Sequence, residues 1–498
     1  MALLGLLIVP LAAGLLCWLA ARRRTMEIAN LAAAALIVAF AAFAAGEVLR
    51  QGPVSVWNGF LYADAFSALV VLLTGFVYLA CSVYAVGYFR EDERQTVSPG
   101  DATPLVTIHE LRKYYSLTPV FVFSMLLVAL ANNLGVMWVA IEGTTLASVF
   151  LVTFYGRPTS LEAAWKYAII GGVGLSMALF GTILTYYSAF RISGTESVAA
   201  LNWSVLVTQA SQFDKVTMRL AFVLVLLGYG TKAGLAPMHT WKPDAYSEAP
   251  APVAAMLAAG MLNCALYGLT RFYVLCAECL GPRFASELLI LFGILSIGVA
   301  VPFVLVQKSF RRLLAYSSID HGGIMVLGLG FGGVFGVAGM LLHMTFHTLA
   351  KPLLFFCAGN LQQHLKTDLF RRARGGVIHA LPVSGAAFLM ASLAVTGAPP
   401  FSLFQSEFTI FRAGIARGRM LEVVLFVSFL ALIFSGFLVH IARLVLGPDA
   451  GEPRGDTCPW KKSAVLGLAG LVVLIAFWLP APLYSLIVQA SAVIRRVP

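Results

Sequence analysis

Long apolar stretches constrain this chain more than any other feature of its sequence. A bilayer core about 30 Å thick needs roughly 20 apolar residues per helix, and the sequence supplies about fourteen such stretches. Sixty per cent of the 498 residues are hydrophobic and only 11% are charged. This composition excludes a soluble globular protein and predicts an all-α, polytopic membrane protein of about 14 transmembrane helices.

The predicted spans leave only short polar connections, so no large soluble domain fits between them. Arginines follow the first span rather than precede it, which favours a retained helix over a cleaved signal peptide. The stretch 379–417 is long enough to hold either one span or two. The spans are predicted at 2–20, 27–45, 62–88, 116–132, 134–155, 164–190, 218–236, 250–272, 285–306, 311–330, 334–360, 379–417, 421–446 and 463–490.

The basic excess predicts the orientation of the chain. The formal net charge is +11, but no folded polar domain accompanies the basic residues, so nucleic-acid binding is not expected. Of 34 Lys and Arg residues, about 20 fall in loops on one side, Lys242 and Arg311 among them, and about 11 on the other, including Arg271. Because cytoplasmic loops carry the positive excess, both termini are predicted to be extracytoplasmic.

The sequence shows no motif for a cofactor or a metal on this chain. Among seven cysteines only Cys276 and Cys279 form a Cys-x-x-Cys, and no second pair completes a four-ligand site. Two inert thiols are the favoured interpretation, and an extracytoplasmic disulfide or redox role is the alternative. No Walker loop, Rossmann fingerprint or nucleophile elbow occurs in a suitable context. Any energy for work must therefore come from an ion gradient or a partner subunit.

Charged residues inside the apolar stretches require an explanation. Each costs on the order of 2.5–3.5 kcal/mol at mid-bilayer, so such groups pair, titrate or meet water rather than face lipid. Buried carboxyl and amino groups exchange protons more readily near neutrality because desolvation disfavours their charged forms. The alternative is that they only staple helices together. The six residues are Glu142, Lys166, Lys232, Asp320, Lys351 and Glu407.

The segment from His343 to Lys351 carries the sharpest local pattern. His343, His347 and Lys351 recur every four residues, so on an α-helix they form one stripe roughly 12 Å long. Three proton-exchanging groups on one stripe indicate a relay. Structurally satisfied core histidines are the alternative, and a metal site is disfavoured because lysine is a poor third ligand.

Two spans carry an ionisable group beside helix-breaking residues. Lys232 precedes Gly234 and Pro237, and Glu407 follows Pro399 and Pro400. Broken helices in corresponding places of two halves indicate inverted repeats with the ion path between them. We predict two inverted five-helix repeats, each with one broken helix. The segments are 1–115 (three N-terminal helices), 116–272 (first repeat), 285–446 (second repeat) and 447–498 (a loop and the last helix).

Three motifs together resemble a known family: the antiporter-like, proton-translocating membrane subunits of respiratory complex I, group 4 membrane-bound hydrogenases and multisubunit Na+/H+ antiporters. They are Lys-Ala-Gly-Leu-Ala-Pro-Met-His-Thr-Trp-Lys-Pro-Asp at 232–244, Tyr-Ser-Ser-Ile-Asp-His-Gly at 316–322 and Gly-Ala-Pro-Pro-Phe-Ser-Leu-Phe-Gln-Ser-Glu-Phe at 397–408. The segments 131–148 and 341–351 resemble the hydrogenase-4 component F type most closely.

The resemblance implies roles for the buried residues. Glu142 and Lys232 would be the paired groups of a first half-channel, Lys351 the central lysine joined by its two histidines, and Glu407 the exit-side group. Complex I subunits of this kind often place a lysine near the position of Asn263, which cannot carry a proton. The further positions expected on the path are Lys166, His239, Asp320 and His321.

The leading hypothesis is a proton-translocating, non-redox subunit of a hydrogenase or formate hydrogenlyase-type complex in a bacterial or archaeal inner membrane. Peripheral and membrane partner subunits would carry iron–sulfur clusters and, in a hydrogenase, nickel–iron. Two alternatives stay open at this point. One is a subunit of a multisubunit cation (Na+)/H+ antiporter, and the other is a structural scaffold whose internal charges only join helices.

Overall fold

The computed structural model describes residues 1–95, 106–194, 198–373, 375–448 and 455–496. Parts of the predicted N-terminal segment and C-terminal loop, at 96–105 and 449–454, lie outside these residues. The described chain is almost entirely helical. Its helices are α1 (Ala2–Leu19), α2 (Arg23–Gln51), α3 (Ala65–Glu93), α4 (Ile108–Leu130), α5 (Leu134–Val152), α6 (Pro158–Ser193), α7 (Trp203–Gln209), α8 (Lys215–Ala233), α9 (Trp241–Glu248), α10 (Ala251–Met256), α11 (Leu262–Leu280), α12 (Pro282–Leu305), α13 (Phe310–Phe331), α14 (Gly333–Leu365), α15 (Val377–Ala380), α16 (Pro382–Val395), α17 (Ser402–Ala416), α18 (Met420–Leu446), α19 (Pro459–Phe477) and α20 (Ala481–Ile494).

The helices agree with the predicted fourteen spans. By length and composition, 12 of the described helices can cross a membrane. The 22-residue α13 adds one crossing. The helices α16 and α17 have 14 and 15 residues, each only about 21–23 Å long, so together they cross once and 379–417 is a single broken span. Fourteen crossings return the chain to the side where it began, which we call the terminal side.

Both predicted helix breaks are present. The helix α8 ends at Gly234, which has a φ of +74°, and α9 resumes at Trp241. Gly397, with a φ of +71°, lies between α16 and α17. Prolines in both breaks cannot donate a backbone N–H, so the helical ladder cannot continue through them. Each break falls in the fourth span of its five-span run, as the inverted-repeat prediction requires, while the segment boundaries stay a prediction.

The last span is also interrupted, which the prediction of one helix over 463–490 missed. The helix α19 ends at Phe477 and α20 begins at Ala481, just after Pro480. The side chain of Gln405, near the start of α17, donates a hydrogen bond to the Ala476 carbonyl at 3.4 Å. The described chain therefore has three interrupted spans, and two of the interruptions lie side by side.

The span at the centre of the molecule is the most deeply buried. It runs from Ala251 to Leu280, and every residue of its most apolar 18-residue stretch is buried. A π-helical turn occupies Leu257–Met261. Such turns displace the residues that follow and are frequent at functional sites. Cys276 and Cys279 lie near the end of this span as free, buried thiols, in agreement with the favoured interpretation of the Cys-x-x-Cys.

A short hairpin adds to the predicted all-α fold. The strands β1 (Val54–Val56) and β2 (Leu61–Ala63) pair antiparallel, with Val54 opposite Ala63. The next residue, Asp64, accepts hydrogen bonds from two backbone amides and caps α3. It also forms a two-bond ion pair with Arg271 of α11, at 2.7 and 2.9 Å. Arg271 was counted as a loop residue from the sequence, and that was wrong, because it is 3% exposed.

Candidate functional site

Lys232 lies one residue before the end of α8, and hydroxyl groups hold its ammonium. Its Nζ donates to Thr145 Oγ1 at 2.7 Å and to Tyr167 Oη at 2.8 Å. The ammonium also lies 4.9 Å from the centre of the Tyr167 ring, and the residue is 1% exposed. Neutral oxygens and an aromatic face solvate the charge without neutralising it. A proton can therefore leave this amine without breaking an ion pair.

Glu142 lies on α5, one turn before Thr145, and does not contact Lys232. Its Oε2 is buried and accepts no hydrogen bond within the described ranges. The carboxylate is close enough to influence the ammonium electrostatically, but no ion pair of 4.0 Å or less joins them in the described part of the chain. In the described structure the predicted partners Glu142 and Lys232 are thus separated, and we call them the open pair.

A polar cavity of about 220 Å³ lies beside this group, on the side opposite the termini. Lys166 borders it and forms ion pairs with Glu162 at 2.6 Å and Asp244 at 3.0 Å. Asp244 also pairs with Arg312 at 2.5 Å. Lys166 is 46% exposed, so it belongs to the surface of the protein rather than to the buried series.

Two stacked aromatic rings lie next to Lys232. Tyr167, the neighbour of Lys166 in sequence, stacks on Trp241 of α9 with ring centroids 4.4 Å apart. The Trp241 indole donates to the Thr231 carbonyl at 2.9 Å, beside Lys232. The stack therefore holds Tyr167, whose hydroxyl accepts from Lys232, against α9.

Lys351 is the buried lysine of the second five-span run, on its third span, whereas Lys232 lies on the fourth span of the first. It is fully buried on α14, and its Nζ donates to the Leu314 carbonyl and to Ser317 Oγ, both at 3.0 Å. Pro352 follows directly, and a proline has no N–H to give to the helix. The helix is therefore loosened next to the lysine, as it is next to Lys232.

A carboxylate again lies one turn from the hydroxyl that holds the lysine. Asp320 follows Ser317 by three residues on α13, is 2% exposed, and has a buried Oδ1 without a hydrogen-bond partner among the described residues. On α5 the carboxylate precedes its hydroxyl by three residues, and on α13 it follows by three. The carboxylate and the hydroxyl are thus one turn apart on both helices, in opposite sequence order.

Three histidines continue from Lys351. His321 Nδ1 and His343 Nε2 share a hydrogen bond of 2.9 Å, and His343 Nδ1 shares another of 2.9 Å with Ser406 Oγ on α17. The His347 ring lies 4.9 Å from the His321 ring, centre to centre. His321 was only a secondary position in the sequence analysis, yet it joins the predicted stripe of α14 to α13.

Glu407 follows Ser406 and ends this series. It is 7% exposed, and its carboxylate packs so closely on Gly397 that an added Cβ there would lie 2.0 Å from Oε2. Glycine at the break thus makes room for the carboxylate. A mostly apolar cavity of about 470 Å³ between α17 and α18 reaches Glu407 and is lined by Phe404, Phe408 and other aromatic residues.

A larger cavity, of about 540 Å³, lies on the terminal side of the second repeat. Val337 lines it, six residues before His343 on α14 and thus about 9 Å along the helix axis. Its polar wall is strongly basic. Four arginines line it, namely Arg283, Arg417, Arg419 and Arg495.

Two positions near the middle of the chain do not join the series. His239 lies between α8 and α9 and its Nδ1 has no partner among the described residues. Asn263 donates to Thr348 Oγ1 at 2.8 Å while its Oδ1 accepts nothing there. Neither contacts Lys232 or Lys351 through a described hydrogen bond, so neither bridges the two halves directly.

Two basic residues counted as cytoplasmic loop residues are buried. Lys242 is fully buried on α9, with Nζ donating to two backbone carbonyls. Arg311 is 2% exposed and donates to the carbonyls of Tyr246 and Ala249. Lys242 looks like a loop residue in the sequence because it lies in a proline-rich segment after a broken helix, and Arg311 does because it lies in a basic cluster at the start of a span. Without Lys242, Arg311 and the buried Arg271, about 18 basic loop residues lie on one side and 10 on the other, so the predicted orientation is unchanged.

The histidines also bear on metal binding. The nearest ligand atoms of His321, His343 and Glu407 lie within 4.8 Å of one another, and such a set can hold Zn²⁺ in other proteins. Here the two imidazoles are already hydrogen-bonded to each other. An ion would have to replace that bond, so the arrangement fits proton sharing better than metal binding.

Comparison with known proteins agrees with the resemblance. Residues 131–434 match the family NADH:quinone oxidoreductase/Mrp antiporter, TM. A hydrogenase-4 component F homologue of Methylacidiphilum infernorum (isolate V4) is 36% identical over 405 residues, 81% of each chain. NADH-quinone oxidoreductase subunit N of Desulforudis audaxviator (strain MP104C) is 31% identical over 436 residues, 84% of this chain and 82% of that one.

A solved structure shares the fold. A chain of an archaeal membrane-bound sulfane sulfur reductase superposes with a TM-score of 0.85 at 23% identity, covering 99% of this chain and 97% of the other. The family match spans more than half of the chain and includes Glu142, Lys232, Lys351 and Glu407. The chain therefore belongs to the NADH:quinone oxidoreductase/Mrp antiporter transmembrane family.

Proposed function

We propose that this chain is a proton-translocating membrane subunit of a multisubunit redox complex of the hydrogenase or formate hydrogenlyase type. Electron transfer in partner subunits drives the movement of protons through its buried lysines, histidines and carboxylates. The chain itself carries no redox centre in this proposal. The partners would carry iron–sulfur clusters and, in a hydrogenase, nickel–iron.

The observation that carries the proposal is the series of buried proton-exchanging groups from Lys232 to Glu407. Each lysine is held by neutral oxygens. One turn from the hydroxyl, on the same facing helix, lies a carboxylate with a buried oxygen that has no hydrogen-bond partner among the described residues. Moving a carboxylate toward its lysine stabilises the ammonium, and withdrawing it favours proton release. A partner subunit that shifts Glu142 on α5 can thus load and unload Lys232.

The chemistry of the series favours H+ over Na+. Alkali cations bind oxygen ligands, as in transporters where carbonyl oxygens coordinate Na+, whereas the groups at Lys351, His321 and His343 present nitrogen. Exchange of Na+ for H+ by an antiporter subunit is the second candidate, and the Mrp antiporter in the family description is its support.

A scaffold role is the third candidate, and the hydrogen bonds of the series argue against it. Stapling residues should pair charge with charge, as Asp64 and Arg271 do. Glu142 and Asp320 instead each keep a buried oxygen without a partner in the described ranges. Leaving a buried carboxylate oxygen unsatisfied destabilises the fold, so these groups contribute little as staples.

Replacing both members of the open pair tests the proposal. In inverted membrane vesicles that hold the assembled complex, Glu142→Gln with Lys232→Met should lower redox-driven acidification at least tenfold, because proton transfer through a positioned group is worth about 10²–10⁴ in rate. A pH-sensitive dye measures the rate of acidification, which is divided by the amount of assembled complex. Replacing the partly exposed Glu47 and the exposed Lys215 in the same way is the control. Wild-type pumping by the first variant would overturn the proposal.

His347 provides a test that separates transport from stability. Both ring nitrogens are buried without a partner in the described chain, so His347→Leu should leave the midpoint of thermal unfolding unchanged or raise it, since an unsatisfied buried polar group costs about 1–3 kcal/mol. Pumping should nevertheless fall at least about tenfold. His379→Leu, at an exposed histidine, is the control. Loss of stability together with full pumping per complex would indicate a structural imidazole.

The partners and the orientation are proposals that two further measurements address. Mass spectrometry and metal analysis of the complex purified in mild detergent would identify the partners, and copurifying iron–sulfur or nickel–iron subunits would support the redox assignment. We propose a bacterial or archaeal inner membrane with both termini extracytoplasmic. Cysteine labelling at each terminus with a membrane-impermeant reagent would test that orientation.

A further inference from the structure

Lys242 is a buried lysine that the series described above does not use. Its Nζ donates to the Ala233 carbonyl at 2.8 Å and to the Ser318 carbonyl at 3.1 Å. The residue is 0% exposed, and no carboxylate forms an ion pair with it among the described residues. A lysine kept inside a membrane protein without a counter-ion is costly and therefore indicates a function.

The two carbonyls belong to the two halves of the proton path. Ala233 directly follows Lys232 at the end of α8, and Ser318 directly follows Ser317, whose hydroxyl holds Lys351. Lys351 also donates to the Leu314 carbonyl. Because residues four apart on a helix are one turn apart, Lys242 and Lys351 bind carbonyls on successive turns of α13.

The end of α8 is built to receive this side chain. Free carbonyls at a helix C-terminus carry partial negative charge, which favours a cation there. Gly234 has a φ of +74°, and a Cβ added to it would lie 2.5 Å from Lys242 Cδ. Glycine at this position therefore both ends α8 and leaves space for the lysine stem.

The following span cannot supply the bridge. Asn263 lies where related complex I subunits often carry a lysine, and its side-chain amide donates to Thr348 Oγ1. An amide does not take up or release a proton near neutral pH. Without Lys242, a gap without any titratable amine would separate Lys232 from Lys351.

We propose that Lys242 carries the proton between Lys232 and Lys351, in place of a lysine in the following span. The inference rests on the proposed function. The Lys232 ammonium gives its proton to the neutral Lys242 amine, and the resulting Lys242 ammonium gives it to the neutral Lys351 amine. Each transfer leaves a neutral amine behind, so neighbouring lysines need not carry charge at the same time.

The test uses the assembled complex in inverted membrane vesicles energised with the electron donor of the copurified partners. Lys242→Gln removes the amine and keeps a hydrogen-bond donor, whereas Lys242→Arg keeps a cation that does not release its proton. Both should lower acidification per complex at least tenfold. Adding Asn263→Lys to Lys242→Gln should restore at least a third of the wild-type rate, because it returns an amine to the gap.

The readouts separate a relay from an anchor for α9. Wild-type acidification per complex by Lys242→Gln would overturn the inference, even if the amount of complex fell. A loss that Asn263→Lys does not restore would overturn it as well, because an anchor cannot be replaced from another helix. Lys351→Met in the same vesicles distinguishes a failure of the proposed function from a failure of the inference about Lys242. If that variant pumps normally, the proposed function fails, and if only the Lys242 variants pump normally, the inference alone fails.

Discussion

Replacing Lys351 by methionine is expected to lower proton translocation by about a hundredfold or more, within the 10²–10⁴ range of a positioned proton-transfer group. Lys351 donates to the Ser317 hydroxyl on α13 and lies one turn after His347 on α14, and methionine has a similar length but no exchangeable proton. Acidification by vesicles that contain the complex measures the effect. Electron transfer should either slow in parallel or continue without pumping, depending on how tightly the two are coupled.

The same replacement should leave the fold intact. A buried amine without a counter-ion adds little stability, so exchanging it for an apolar side chain of similar volume is close to neutral. The amount of assembled complex and its unfolding midpoint check this expectation. Lys215→Met, at the exposed start of α8, is the control. Full pumping by Lys351→Met would place the path elsewhere.

Asp64→Ala is expected to cause the largest loss of stability, about 3–5 kcal/mol. The change leaves the Arg271 guanidinium buried without its carboxylate partner. It also removes the N-cap of α3, because Asp64 Oδ1 accepts hydrogen bonds from the backbone amides of Phe66 and Ser67. Unfolding of the purified protein in detergent, followed by the fluorescence of an environment-sensitive dye, measures the difference.

Two matched variants interpret that loss. Asp214→Ala removes a cap of the same kind at the exposed start of α8, and it should cost much less because no buried charge depends on it. Adding Arg271→Met to Asp64→Ala should recover part of the stability, since removing both charges leaves none unpaired. Equal losses for the two caps would show that the buried ion pair contributes nothing.

The spans were predictable because their signal is simple. Twenty apolar residues in a row must cross the bilayer as a helix, and the helices α1 to α6 lie close to their predicted positions. Helix breaks were predictable where glycine and proline accompany a charge, as at Gly234 and Pro399. The break before Ala481 was missed because Pro480 lies among apolar residues with no charge to mark it.

The helical positions of the candidate site residues were predictable, but their contact partners were not. Four-residue spacing placed His343, His347 and Lys351 on one stripe because they share a helix. That Lys232 binds Tyr167 instead of Glu142 depends on how α5, α6 and α8 pack, and no local pattern encodes that packing. Lys242 was misread for a related reason, since a short polar helix looks the same in sequence whether it faces water or is buried.

The stacked Tyr167 and Trp241 rings have a consequence for energy conservation. A membrane potential of 100 mV stores about 2.3 kcal/mol for each proton. A continuous proton path across the membrane would lose that energy by letting protons flow back. The stacked rings cover one side of Lys232, and the imidazole of His347 has no hydrogen-bond partner among the described residues, so the series is interrupted there. Idle complexes built on this chain should therefore leak few protons, because conduction requires that interruption to close.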